Sequence, residues 1–283
     1  MYKLFPLVCF VFLFIKSVNS QTSDSTKVNF LEQQFGDSIA QINEQNEHLK
    51  ASRDAYNEGL ILLKNENYSE AISCFSKAIV IDSIFLQAYL SRAKCYEKLD
   101  NDLAIADYLK TFELDSTNLL PLFEIASLHL KLDKSLAAEM YTTILSLKGD
   151  EYLAISQLGV IAFMAEKYED AEQLFTQSLA INTNAYTLND RGSCYRKLDK
   201  FDLALNDYLA AIALNTNLAF IYSNIASIYS KQGKFDKAFR YYDLAISKDA
   251  DYALAYNNKA SLLLDENKFE KAKIEIDKAL EAD

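Results

Sequence analysis

Histidine is almost missing from these 283 residues. Only His48 and His129 occur, far apart, and neither belongs to the His-x3-His or Cys-x2-Cys spacing that would hold zinc. Glycine is scarce as well. Gly36, Gly59, Gly149, Gly159, Gly192 and Gly233 are all there are, and none opens a loop that could cradle phosphate. Positive charge is in deficit, with 29 Lys and Arg against 40 Asp and Glu and a formal net charge of -11. So acidic a chain is poorly suited to nucleic acid or to an anionic lipid surface. Its many carboxylates fall in polar stretches where solvated helix faces and turns are the ordinary explanation. No catalytic, cofactor or metal constellation stands out, and no chemistry on a small-molecule substrate is expected.

No apolar run reaches the roughly 20 residues that a bilayer-spanning helix needs. The nearest is Leu4 to Ile15, behind Lys3 and ahead of a polar stretch ending Val18-Asn19-Ser20. Residues 1–20 therefore read as a signal peptide, cut before Gln21, and the mature chain as periplasmic or extracellular. Any link to a membrane is then expected through an associated complex. Cys9 lacks the small residues that lipoprotein processing requires before it, because Pro6-Leu7-Val8 precede it.

What the chain has in abundance is periodicity. Ala71, Ala104, Ala137, Ala171, Ala204, Ala238 and Ala272 recur at intervals of 33 or 34 residues. Four residues after each stands a large side chain: Phe75, Tyr108, Tyr141, Phe175, Tyr208, Tyr242 and Ile276. Four residues is about one helical turn, so small and bulky residues share one helix face where a second helix can approach. Upstream lies a second set of small residues, Gly59, Ala93, Ala126, Gly159, Gly192, Ala226 and Ala260. Each unit is thus two short helices. The corner between them carries an aromatic at Tyr68, Tyr168, Phe201, Phe235 and Phe269 that can plug it; units two and three lack the aromatic and one residue of the turn. A further short spacing lies in the linker before Gly192. Cys95 and Cys194 occupy equivalent small packing positions, so structural thiols are expected, with a Cys74–Cys95 bridge the minor alternative.

These features resemble the tetratricopeptide repeat family, which puts Leu-Gly and then Tyr on the first helix and Ala-x3-Phe on the second at a 34-residue period. The resemblance covers residues 52–283 as seven tandem repeats. It implies an all-α, right-handed superhelical solenoid of helix-turn-helix units. Trp is absent, and the Pro that commonly closes a repeat is replaced by Ser83, Ser116, Thr183 and Thr216, which are suited to N-capping the next helix. Repeat three departs most, with His129 in a Tyr place and Ile144 in a small one.

Residues 21–51 are polar but keep helical spacing at Val28, Leu31, Phe35, Ile39 and Ile42. A cap on the first repeat, a flexible helix or a short coiled-coil seam fits that pattern. Gly36 is expected to interrupt it. At the far end, Lys273, Glu275, Asp277 and Lys278 mark a solvated closing helix.

The resemblance also implies that the first helices line the inner surface, where a peptide or protein partner would bind. Five residues beyond each small one stand Lys64, Lys98, Lys131, Met164, Lys197, Lys231 and Asp265. Near Met164, the break in this lysine ladder, Phe123, Leu130, Leu153, Val160 and Phe163 add apolar surface. The expected site is therefore an apolar centre flanked by Lys98, Lys131 and Lys197. The alternative is a structural part of an envelope secretion or assembly complex, acting through the convex face and the N-terminal helix. The related clamp for chaperone C-termini is not expected, since Tyr56 and Leu60 occupy the places where it begins.

Overall fold

The computed structural model describes residues 25–282, so residues 1–20 with their expected signal peptide, and residues 21–24, lie outside the described residues. Among the described residues there are 14 helices and no strand. They are α1 (Ser25–Lys64), α2 (Tyr68–Ile81), α3 (Leu86–Tyr96), α4 (Asn101–Leu114), α5 (Leu120–Leu132), α6 (Lys134–Leu147) and α7 (Tyr152–Met164). Then follow α8 (Tyr168–Ile181), α9 (Ala185–Lys197), α10 (Phe201–Leu214), α11 (Ala219–Lys231), α12 (Phe235–Lys248), α13 (Ala253–Asp265) and α14 (Phe269–Glu281). The chain is all-α and built of seven helical hairpins. It divides into two compact units, one ending at Pro121 and the other running from Leu122 to Asp283.

Each hairpin is held by the small-to-large pairing that the spacing predicts. All seven anchor alanines are fully buried, and Phe75, Tyr108, Tyr141, Phe175, Tyr208 and Tyr242 are buried beside them. The register of repeat three is the expected one, with Ala126, Ala137, Tyr141 and Ile144 all buried. Gly192 shows how close the helices come: a Cβ placed on it would lie 2.8 Å from the Tyr208 ring and 3.3 Å from the Ala204 carbonyl oxygen. Ile276 departs from the pattern, being 37% exposed.

The corners explain the uneven spacing. In the five longer hairpins the turn residue before the N-cap takes a left-handed backbone: Glu66, Glu166, Asp199, Gly233 and Asn267 have φ between 57° and 70°. Four of these are not glycine, at a cost of about 1 kcal/mol or more each. The two shorter corners drop that residue and use an aspartate N-cap. Asp100 accepts from the Asp102 and Leu103 N–H groups and Asp133 from that of Ser135. The shortened linker before α9 does likewise, with the Asn184 side chain accepting from Thr187 N–H. Each of the three joints that lost a residue therefore gained a side-chain cap, which satisfies a helix-end donor otherwise left to solvent.

Three expectations change. Ser83, Ser116, Thr183 and Thr216 are not N-caps. At four repeat junctions an Asx turn closes the chain instead: Asp82, Asp115, Asn215 and Asp249 accept from the N–H two residues on, at 3.0–3.2 Å. The Ser83 and Thr216 carbonyls accept from the Tyr89 and Tyr222 hydroxyls. Gly36 does not interrupt the N-terminal segment, because α1 runs through it as a single 40-residue helix into the first repeat. Of its apolar stripe, Ile39 and Ile42 are half-buried, while the side chains of Val28, Leu31 and Phe35 lie outside the described residues. Glu275 is not solvated but 8% exposed, held by Lys259 at 3.1 Å. The cysteines are as expected: among the described residues there is no disulfide, and Cys74, Cys95 and Cys194 are free, buried thiols. Burial pushes Cys95 up to about 11 and Cys194 to about 12, so neither carries appreciable thiolate at neutral pH.

Candidate functional site

The expected site residues of the second unit sit on its first helices, α5, α7 and α9. On α7, Leu153 and Met164 are 45% and 48% exposed, a large apolar surface at both ends of one helix. Val160 and Phe163 are half-buried between them and pack against the cluster of Ala171, Phe175 and Cys194. Phe163 also meets the Tyr168 ring edge-on at 5.3 Å, so the corner aromatic holds it. On α5, Phe123 leans on Tyr141 at 6.0 Å, Leu130 is half-buried and Lys131 is exposed. Phe123 and Phe163 are therefore partly core side chains, and the freest apolar groups are Leu153 and Met164. Lys98 belongs to the first unit, where it is exposed in the α3–α4 corner.

The ladder lysines have neighbours that the sequence did not reveal. Lys197 places its Nζ 5.6 Å from the centre of the Tyr168 ring, and Lys231 places its Nζ 5.8 Å from that of Phe201. Each thus lies over the corner aromatic of the preceding repeat. Such cation–π contacts are worth about 0.5–1 kcal/mol at exposed sites, so these lysines join repeats as well as presenting charge.

A cavity of about 190 Å³ opens between α7 and α9, lined by Val160, Phe163, Phe175, Asp190, Ser193 and Arg196. Its wall on α7 and α8 is apolar. Its wall on α9 is polar, because Asp190, Ser193 and Arg196 recur every three residues along one helix face. Ser193 Oγ shares a hydrogen bond with the Tyr208 hydroxyl at 3.0 Å. Burial raises the Asp190 carboxyl above the usual carboxylate range, opposed by the hydrogen bond that Asn189 Nδ2 donates to it at 3.1 Å. The Arg196 Nε is buried with no hydrogen-bond partner. Beside the cavity Asn224 Nδ2 donates to Asn189 Oδ1 at 2.8 Å, which ties α11 to α9.

Family models of the tetratricopeptide repeat match residues 55–84, 185–218 and 253–283, and another matches residues 221–251. The chain is a tetratricopeptide-repeat protein. No curated protein sequence matches it significantly. Among solved structures, a tetratricopeptide repeat protein from Parabacteroides merdae is 16% identical at a TM-score of 0.66, covering 82% of this chain and 93% of its own. The C-terminal part of a tetratricopeptide repeat-containing protein from Cytophaga hutchinsonii is 21% identical at 0.58, covering 80% and 93%. The APC/C hetero-tetramer Cut9–Hcn1 is 24% identical at 0.58, covering 88% of this chain and 51% of that one. At such identities the likeness is one of fold.

The tetratricopeptide register shows what sequence reading missed. Asp190, Ser193 and Arg196 stand two before, one after and four after the small Gly192. Val160 and Phe163 stand one and four after Gly159. The cavity is therefore built from equivalent places on adjoining tetratricopeptide repeats, and comparing those places between repeats would have found it. The same comparison exposes a recurring clamp. Arg92 donates through Nε and Nη2 to Asp107 at 2.7 and 2.8 Å and through Nη1 to Ser76 of the preceding repeat at 2.9 Å. Arg191 does the same with Asp207, at 2.8 and 2.8 Å, and with Thr176 at 3.1 Å. These clamps are structural. Among the described residues no group of three or more His, Cys, Asp or Glu is placed to hold a metal ion, and no helix is long and apolar enough to cross a membrane.

Proposed function

We propose that the chain is an exported scaffold that binds an extended or helical segment of a partner protein on the first-helix face of its second unit, with no reaction of its own. The observation that carries this reading is the exposure of Leu153 and Met164 on α7, with the half-buried Val160 and Phe163 between them and the exposed Lys131 and Lys197 on α5 and α9. Leu153 and Met164 are about three helical turns apart and so share one face of α7 with Val160, and an apolar stripe rimmed by charge is the kind of surface that marks a binding site. The lysines select a segment with acidic flanks and act mainly on the rate of encounter. The fold supports an interaction role, since stacked hairpins present long surfaces without needing a catalytic centre. Assembly into a larger complex is the second reading, favoured by the length of α1 beyond the first repeat.

Two results test this. Export rests on residues 1–20, and the protein recovered outside the cytoplasm is expected to begin at Gln21; a chain beginning at Met1 there would remove the signal-peptide reading. For the binding face, Leu153→Asp combined with Met164→Asp is expected to weaken affinity for a partner purified with the wild type by roughly 100-fold, about the burial of two large apolar side chains. Melting should change little, because both residues are exposed. Unchanged affinity would move the interface to the second-helix face or to α1.

A further inference from the structure

The cavity between α7 and α9 has a chemical specificity that a general apolar groove lacks. Asp190 and Arg196 are six residues apart on one helix, roughly 9 Å along its axis at 1.5 Å per residue, and among the described residues no ion pair joins them. Both nevertheless line the same space of about 190 Å³. The Arg196 guanidinium stands beside the Tyr208 hydroxyl, but its Nε is a buried donor with no acceptor. The Asp190 carboxylate accepts from Asn189 Nδ2 and retains further lone pairs. Opposite them, Val160, Phe163 and Phe175 offer only carbon.

An occupant must therefore bring an acceptor for the Arg196 Nε, a donor for Asp190 and a short apolar stem. A carboxylate meets Arg196 but is repelled by Asp190. An ammonium has the reverse difficulty, and an aliphatic side chain leaves the Arg196 Nε unmet. A backbone peptide unit has both groups, but in the trans form its C=O and N–H point in opposite directions. In a side-chain carboxamide the oxygen and the NH2 sit on one carbon and face the same way.

We propose that this cavity receives the carboxamide of an asparagine or glutamine in the bound segment. Its oxygen accepts from Arg196 Nε, its NH2 donates to Asp190, and its methylenes lie against Val160, Phe163 and Phe175. The inference rests on the reading that a peptide segment occupies this face, and adds the residue that anchors it.

The test uses the full chain and pools of fluorescent nonapeptides with the central residue fixed as Gln, Asn, Glu, Lys or Leu and the other positions randomised. The better of the Gln and Asn pools should bind roughly tenfold more tightly than the Glu, Lys and Leu pools, the effect expected of one charge-assisted hydrogen-bond pair. Arg196→Met keeps the stem and removes the donor, and should abolish the preference over Leu without weakening the Leu pool. Asp190→Asn should raise the Glu pool to the level of the Gln pool, because an amide can donate to a carboxylate. If the wild type binds all pools alike and Leu153→Asp with Met164→Asp abolishes that binding, the carboxamide assignment falls while the binding face stands. Pools that bind alike and ignore that double substitution, or that do not bind at all, overturn both.

Discussion

Ala204→Arg is expected to lower stability by at least about 4 kcal/mol, whereas Asn206→Arg, two residues away on the same helix, should change it by no more than about 0.5 kcal/mol. Ala204 is fully buried in a cluster with Tyr208, Ile221 and Ile225, and Gly192 crosses close to its carbonyl. An arginine there must displace the Tyr208 ring and bury a charge without a partner. Asn206 is exposed and its replacement meets only water. Chemical denaturation followed by circular dichroism separates the two, and equal midpoints would mean that the repeat register is wrong.

Asp207→Ala should cost about 2–3 kcal/mol, because it leaves the Arg191 guanidinium largely buried with its main partner gone. The figure lies below that for a fully buried pair, since the Arg191 side chain keeps 21% of its exposure. Arg191→Leu together with Asp207→Leu should restore most of the loss. Three other repeats already carry apolar residues at the same two places: Ile125 with Met140, Leu158 with Leu174, and Ile225 with Tyr241. Thermal melts of the single and double variants check this. A double variant no more stable than Asp207→Ala would show that the clamp holds more than its own charge.

The hairpins were legible because their period is a packing period. A small residue opposite a ring is the one local pattern that lets two helices cross closely, and it survives at Gly59, Gly159 and Gly192 as well as at the alanines. The irregular spacings were legible as lost residues but not in their remedy. Asp100, Asp133 and Asn184 are ordinary polar residues until the chain around them is short enough to make each an N-cap. Glu275 was misjudged because charge in sequence reads as solvation, whereas its partner Lys259 lies 16 residues away on another helix. At the candidate site the exposure of Met164 followed from the break in the lysine ladder. The half-burial of Phe123 and Phe163 did not, since it depends on Tyr141 and Tyr168, which the sequence shows only as a core ring and a corner plug. For the same reason Phe163→Asp is a poor probe of binding, as it would also strip packing from the cluster around Phe175. Asp190 and Arg196 escaped notice because the cavity they share exists only once two repeats are stacked.

The claim that the first-helix face of the second unit carries the partner is tested most directly by photo-crosslinking. A benzophenone amino acid at position 164 on α7 is compared with the same residue at position 209 on the second helix α10, where Leu209 is 43% exposed. The account predicts a crosslink to the partner from position 164 and none from position 209; crosslinking from position 209 alone would contradict it.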